Sequence, residues 1–387
     1  MAFPVGYLHR VPLIINQFDV GSDLTDWTLI FDQNFNAVLT QVGGPLDADG
    51  LRPILANGAD IRFSTDQAGT SEIAVDVRKA ISNNNPSSGT LQIAVKIPFV
   101  SSNVNTQIWM WWGNSAAVKP LPTDTFGQYN AYDSGHFAVY DFGQVPGGVD
   151  SVLDRTQYQR HLTPNGGMGA GNVIQGQVGS AYSFDGVDDM LKSSMSLPRQ
   201  AHTIEVLLKK DGTDNSLLIA QRGSSNFFQW FTRPDSSDQK SHYWNGSLSV
   251  DGTSNITNNI WRSVSVRHDG MSTVSFSLGQ LINNVSQSLG STSNEDIRIQ
   301  YDNTTNYANG SLGELRFSDL KRSDDWIRIN NKNQFNIAGF LTWGAIEDVG
   351  SPTVKNMFIG TTPVAKIYQG LTPVQKVYQG TNLIWEV

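Results

Sequence analysis

The sequence predicts an all-β protein: two antiparallel, jelly-roll-like β-sandwich domains followed by a short C-terminal β-repeat. Three observations carry that prediction. Strand-like runs recur at intervals of roughly 10–15 residues with Gly, Asn, Asp or Ser between them. Almost nothing shows the period of a long amphipathic helix. Finally, Gly350, Gly360, Gly370 and Gly380 stand ten residues apart near the end of the chain.

The first unit, residues 1–132, contains the runs VPLIIN, WTLIF, ADIRF, EIAVDV, LQIAVKI and QIWMWW. In the last run, alternation sets Trp109 and Trp111 on one face and Ile108, Met110 and Trp112 on the other, so both faces are expected to be covered. From about Ala117 to Asp133, proline and polar residues break the pattern and mark a crossing between units. The second unit, 133–349, supplies GSAYSF, HTIEVLLK, SLLIAQ, FFQWF, SHYWN, WRSVSVR, TVSFSLG, IRIQY and GELRFS, then one helix, SDDWIRINNKNQF. Ser323 can cap its first turn, and Asp324 and Asp325 sit near the positive end of its dipole.

Residues 350–387 alternate β-prone runs (PVAKIY, PVQKVY) with turns (QGLT, QGTN). Alternation places Val364, Lys366 and Tyr368 on one side and Ala365 with Ile367 on the other. A segment this short buries too little surface to fold alone. It is expected to pack on the sandwich, on another copy of itself or on another protein, with the four glycines as turns and Tyr368, Tyr378 and Trp385 among the assembly residues.

Charged residues make up 16% of the 387 positions and the net charge is -8, without the basic footprint of a nucleic-acid partner. The absence of cysteine excludes disulfides, thiolate metal sites and cysteine nucleophiles. No run approaches the ~20 apolar residues of a membrane span, so no membrane partner is expected. The opening MAFPVGYLHRVPLIINQF lacks the basic region, apolar run and cleavage site of an export signal, which predicts synthesis and retention in the cytoplasm until release. The six histidines, His9, His136, His161, His202, His242 and His268, show no metal-ligand spacing.

Two constellations are candidates for binding. In FDGVDD, Asp185, Asp188 and Asp189 cluster beside a glycine; such oxygen ligands suit a hard cation such as calcium, and the same residues make a strand-to-strand turn that needs no metal. Asp47 and Asp49 in LDADG are a weaker version. The aromatic group Phe228, Trp230, Tyr243 and Trp244 lies among Ser, Asn and Asp, the combination that stacks on and hydrogen-bonds a sugar; Trp230, Tyr243 and Trp244 are the carbohydrate-binding candidates, with core packing as the competing reading. No catalytic residue is expected. A sandwich glycanase needs two carboxylates about the scissile bond, no E-x-D-x-x-E run occurs, and Glu205 and Glu314 are isolated on strands and expected to face solvent.

Four stretches of the first unit, YLHRVPLIIN, GADIRFSTDQAG, LQIAVKIP and IWMWWGNSAA, resemble in the same order a β-sandwich family of unknown function that precedes laminin-G-like domains in bacterial envelope and phage tail proteins. HFAVYDF, VGSAYSFDGVDDML, HTIEVLLK, IWRSVSVRHDG and GSLGELRFSDLKRSDDWIRINNKNQF resemble a laminin-G or concanavalin A-like sandwich. The K-V-Y-x-G ending that closes on a tryptophan is similar to the ends of phage tail and virion proteins. Together the resemblances imply a non-enzymatic virion protein, a tail fibre or tail appendage engaged in host attachment. Its implied partners are copies of itself as a homotrimer, other virion proteins and a host surface glycan; no cofactor is expected beyond a calcium ion at Asp185, Asp188 and Asp189. A capsid decoration protein or head fibre, a concanavalin-like glycan-degrading enzyme and a bacterial adhesion module are the alternatives.

Overall fold

A computed structural model of the chain describes residues 3–34, 54–81, 90–193, 195, 201–211, 217–222, 227–232, 240–244, 249–252, 255–271, 273–286, 296–301 and 307–349, and short strands within 358–386. It is all-β; among the described residues there are two α-helices, and neither is long and apolar enough to cross a membrane.

The first sandwich pairs two sheets. One contains β1 (His9–Ile15), β7 (Thr106–Trp112), β3 (Arg62–Ser64) and β4 (Glu72–Ile73); the other runs β2 (Leu24–Asn34), β6 (Thr90–Val100), β5 (Val75–Ile81). Alternation sets the core: Trp27, Leu29 and Phe31 from β2 meet Ile108, Met110 and Trp112 from β7. The opposite face of β7 is covered too, because Trp109 and Trp111 pack with Tyr7 and Phe3. The Arg10 guanidinium lies 5.1 and 5.2 Å from the Trp109 and Trp111 rings, a favourable cation–π position.

The second sandwich packs a sheet containing β8 (His136–Tyr140), β11 (Ser180–Asp185), β13 (His202–Lys210), β18 (Trp261–His268) and β22 (Asn309–Ser318) on a seven-stranded sheet that includes β12 (Met190–Ser193), β14 (Leu218–Arg222), β15 (Phe227–Thr232) and β16 (Ser241–Trp244). Its core holds Ile204, Val206 and Leu208 from β13 and Leu312, Leu315 and Phe317 from β22.

Helix α1 (Asp324–Phe335) starts as the sequence predicts, the Ser323 hydroxyl accepting from the Trp326 N–H with Asp324 and Asp325 in the first turn. Its destination differs from the sequence-based boundary at 349. Trp326, Ile327 and Ile329 enter the core of the first sandwich, as do Phe340 of α2 (Ile337–Phe340) and Leu341. The strands β23 (Leu341–Trp343) and β24 (Glu347–Asp348) then pair with β1. The chain thus leaves the first sandwich, builds the second and returns to complete the first.

The two sandwiches share a buried polar layer between the β2–β6–β5 sheet and the β13–β22 sheet. Glu205 and Glu314, expected at the surface, are 7% and 3% exposed. Alternation points them outward from their own core correctly; the neighbouring sandwich then covers that face. Arg78 of β5 reaches Glu314 with both terminal nitrogens, at 2.5 and 3.1 Å, and Arg316 donates to the same carboxylate at 3.0 Å. Tyr132 donates to Asp76 at 2.8 Å, and Arg155 of the second sandwich donates to Asp76 at 3.0 Å. Two asparagines on α1 close the rest. Asn330 accepts from the Trp27 indole at 2.7 Å and donates to Glu205 at 2.7 Å. Asn333 accepts from the Ile30 N–H at 2.8 Å and donates to the Ile30 carbonyl at 2.6 Å, the pairing a neighbouring strand would otherwise supply to β2. A small apolar cluster of Ile30, Ala94, Tyr132, Val139 and Leu207 lies within the same layer.

Burial alone would raise the Glu314 carboxyl, but the Arg78 and Arg316 charges outweigh it and hold the group at about 2. An unfolded glutamate titrates near ~4.3. The stabilisation is therefore complete above pH ~4.3 and is lost as pH falls toward 2. Urea unfolding across that range should show the loss, and Glu314→Gln, which leaves two buried guanidinium groups short of a partner, should lower stability by roughly 3–5 kcal/mol at pH 7 and flatten the acid limb. Asn333→Ala should cost about 2–4 kcal/mol in the same measurement, because both polar groups of Ile30 lose their partner.

Candidate functional site

The expected sugar platform does not form. Trp230 and Tyr243 are opposite each other on β15 and β16 and are both 0% exposed in the core of the second sandwich. The Trp230 indole donates to the Ser241 hydroxyl at 2.5 Å, which satisfies its one polar atom. Trp244 is half-buried and, one residue on from Tyr243, belongs to the opposite face of the strand. The side chain of Phe228 lies outside the described residues. Strand alternation separates residues that are neighbours in sequence, and core packing takes the pair.

The acidic turn does bring Asp185, Asp188 and Asp189 together, with carboxylate oxygens within 4.8 Å of one another. Local hydrogen bonds account for two of the three. Asp185 accepts from the backbone N–H groups of Val187 at 2.8 Å and Asp188 at 3.3 Å, which lower its carboxyl below the usual range. Asp189 accepts from Asn172 at 2.9 Å and from the Asp185 N–H at 3.2 Å, while burial first and the Asp185 charge second raise it. Glycine is required at two places: Gly186 has φ +76°, and at Gly166, φ +79°, a Cβ would stand 2.2 Å from the Asp188 carbonyl. This is the strand turn that Asp and Gly favour. Asp47 and Asp49 lie outside the described residues.

A cavity in the first sandwich has no counterpart in the sequence reading. It measures about 460 Å³ and lies between β2, β4, β6 and the crossing segment, with Asp26, Glu72, Lys96, Thr123, Phe126 and Asn130 on its walls. The crossing is tied down at its wall, where the Val75 N–H donates to the Phe126 carbonyl at 3.2 Å. Asp26 has φ 51°, an uncommon left-handed conformation. It falls between the pairs Thr25–Phe99 and Trp27–Ile97, level with Pro98, which has no N–H to give the ladder. Glu72 faces Arg62 at 3.4 Å. Arg62 is in turn held by the carbonyls of Ile61 and Val118 at 2.7 and 2.6 Å. Burial raises the Glu72 carboxyl, an effect that Arg62 partly offsets. The wall residues come from four separate stretches of chain, so no local motif announces them.

In the repeat, Phe358–Ile359 pairs with Thr362–Pro363, Ile367–Gln369 with Thr372–Val374, and Lys376–Gln379 with Asn382–Glu386. Each is an antiparallel hairpin, and each pairs only within itself among the described residues. Gly350, Gly360, Gly370 and Gly380 lie outside the described residues, as do the side chains of Tyr368, Tyr378 and Trp385.

No family model and no curated protein matches the sequence. Among solved structures, the chain is similar to domain 4 of AbnA, a GH43 extracellular arabinanase from Geobacillus stearothermophilus, in complex with arabinotriose, with 14% identity and a TM-score of 0.41 over 50% of this chain and 96% of that one. It is similar to the binding domain of Paraclostridial Mosquitocidal Protein 1 at 10% identity and TM-score 0.40, over 51% of this chain and 52% of that one. For the receptor binding domain of the botulinum neurotoxin C/D mosaic serotype the values are 10% and 0.39, over 52% and 51%. This chain therefore spans about half the length of the two toxin domains. Likeness at this level carries no functional information.

Since Trp230 is a core residue, Trp230→Ala should lower the stability of the second sandwich by about 3–5 kcal/mol. Calorimetry checks this; an unchanged melting profile would return Trp230 to the surface.

Proposed function

We propose that the chain is a non-enzymatic structural and attachment protein of a bacteriophage virion, a tail fibre or tail appendage that meets the host surface. The observation that carries this reading is the series of three hairpins in 358–386, each two-stranded and paired only within itself among the described residues. An isolated two-stranded hairpin is marginal in water, so the repeat gains stability when it is covered. Copies of the same repeat are suited to that role, since units that stack on like units suit symmetric assembly. Three copies is the expected number.

The body that such a stem would carry supports the same reading. Two sandwiches tied by a buried charge layer and a shared helix form a stiff unit. Several stiff units on one stem raise the effective concentration of each weak surface contact, so attachment strengthens without any single tight site. A fibre mounted on the tail and one mounted on the head differ in their anchor, not in this mechanism. The sequence resemblances to sandwich families of phage tail proteins point the same way.

Native mass spectrometry of the full chain and of a chain ending at Val349 tests the proposal. The full chain should be a trimer. The shortened chain should be a monomer whose two sandwiches melt at an unchanged temperature. A full chain that is monomeric, or a shortened chain that still forms the same oligomer, would contradict the assigned role of the repeat.

A further inference from the structure

We infer that the cavity between the crossing segment and the first sandwich binds a neutral saccharide unit of a surface glycan. This rests on the attachment reading for the source of the ligand, while the chemistry of the site rests on its walls. At about 460 Å³ the cavity falls in the size range of small-molecule sites. Saccharide recognition needs an apolar surface for the C–H face of the ring and convergent groups for its hydroxyls. Phe126 offers the first. For the second, the wall residues carry acceptors in Asp26 and Glu72, a donor in Lys96 and both kinds of group in Thr123 and Asn130.

The balance of charge narrows the class. Glu72 is already paired with Arg62, so the wall keeps one carboxylate, Asp26, against one ammonium, Lys96; that balance favours a neutral sugar over a sulfated or carboxylated one, and the polar wall disfavours a purely apolar ligand. Hydroxyls donating to a carboxylate are among the stronger neutral-ligand contacts.

The acceptors are also held in place before any ligand arrives. Glu72 is fixed by Arg62, itself tied to three backbone carbonyls. The backbone of Asp26 is held in a conformation that most residues avoid. A conformation of that kind costs roughly 1–3 kcal/mol and persists where the surroundings over-determine it, often at ligand sites. Acceptors fixed in this way lose little freedom on binding.

The test uses the full assembled chain on an array of neutral and anionic glycans, followed by titration calorimetry with the best neutral oligosaccharide. Two variants keep the fold while altering the walls: Asp26→Asn, which tolerates the same left-handed conformation, and Phe126→Ala. Each should weaken binding by about tenfold or more, with an unchanged oligomeric mass. Binding that is unchanged in both variants, a preference for anionic glycans, or no glycan bound at all would overturn the assignment. Because oligomeric mass is read on the same samples, loss of glycan binding with the trimer intact concerns this site alone. Loss of the trimer in the unmodified chain would concern the attachment reading.

Discussion

The interaction on which the rest of the structure depends is the buried polar layer between the two middle sheets. Its centre is Glu314, shared between Arg78 from one sandwich and Arg316 from its own. Charges withdrawn from water cost several kcal/mol each unless geometry returns it. Here the return comes from a bidentate arginine, a second guanidinium and a tyrosine that links Arg78 to Asp76. Such a layer adds less net stability than an apolar one of the same size, but it tolerates few relative orientations. The expected consequence is a fixed angle between the sandwiches rather than two domains on a flexible tether.

The chain path makes that coupling hard to undo. The first sandwich is incomplete until residues 326–348 return to it, so the second sandwich folds as an insertion within the first. Helix α1 carries both duties. Its apolar residues Trp326, Ile327 and Ile329 fill the first core, while Asn330 and Asn333 bond across to both sides of the layer. The proposed attachment role would benefit from this arrangement, because contacts on several copies add only if their geometry is held while they engage.

Much of the fold was legible in the sequence. Period-two alternation separates Trp109 and Trp111 from Ile108, Met110 and Trp112 correctly, and Ser323 with its two aspartates marks the helix start. The FDGVDD turn reads correctly because turn chemistry is local. Alternation assigns a residue to a face but does not say what lies over that face, which is why Glu205 and Glu314 looked solvent-exposed and proved buried. The same limit set Trp230 and Tyr243 among sugar contacts when the core takes them. The return of 341–348 to β1 and the wall of the cavity are products of long-range topology. No spacing along the chain encodes either.

The most direct test of the whole account is cryo-electron microscopy of particles that incorporate the chain. The account predicts two sandwiches at one fixed mutual orientation in every copy, with residues 350–387 toward the particle and the sandwiches outward. Sandwiches at variable angles, or a repeat that points away from the particle, would contradict it.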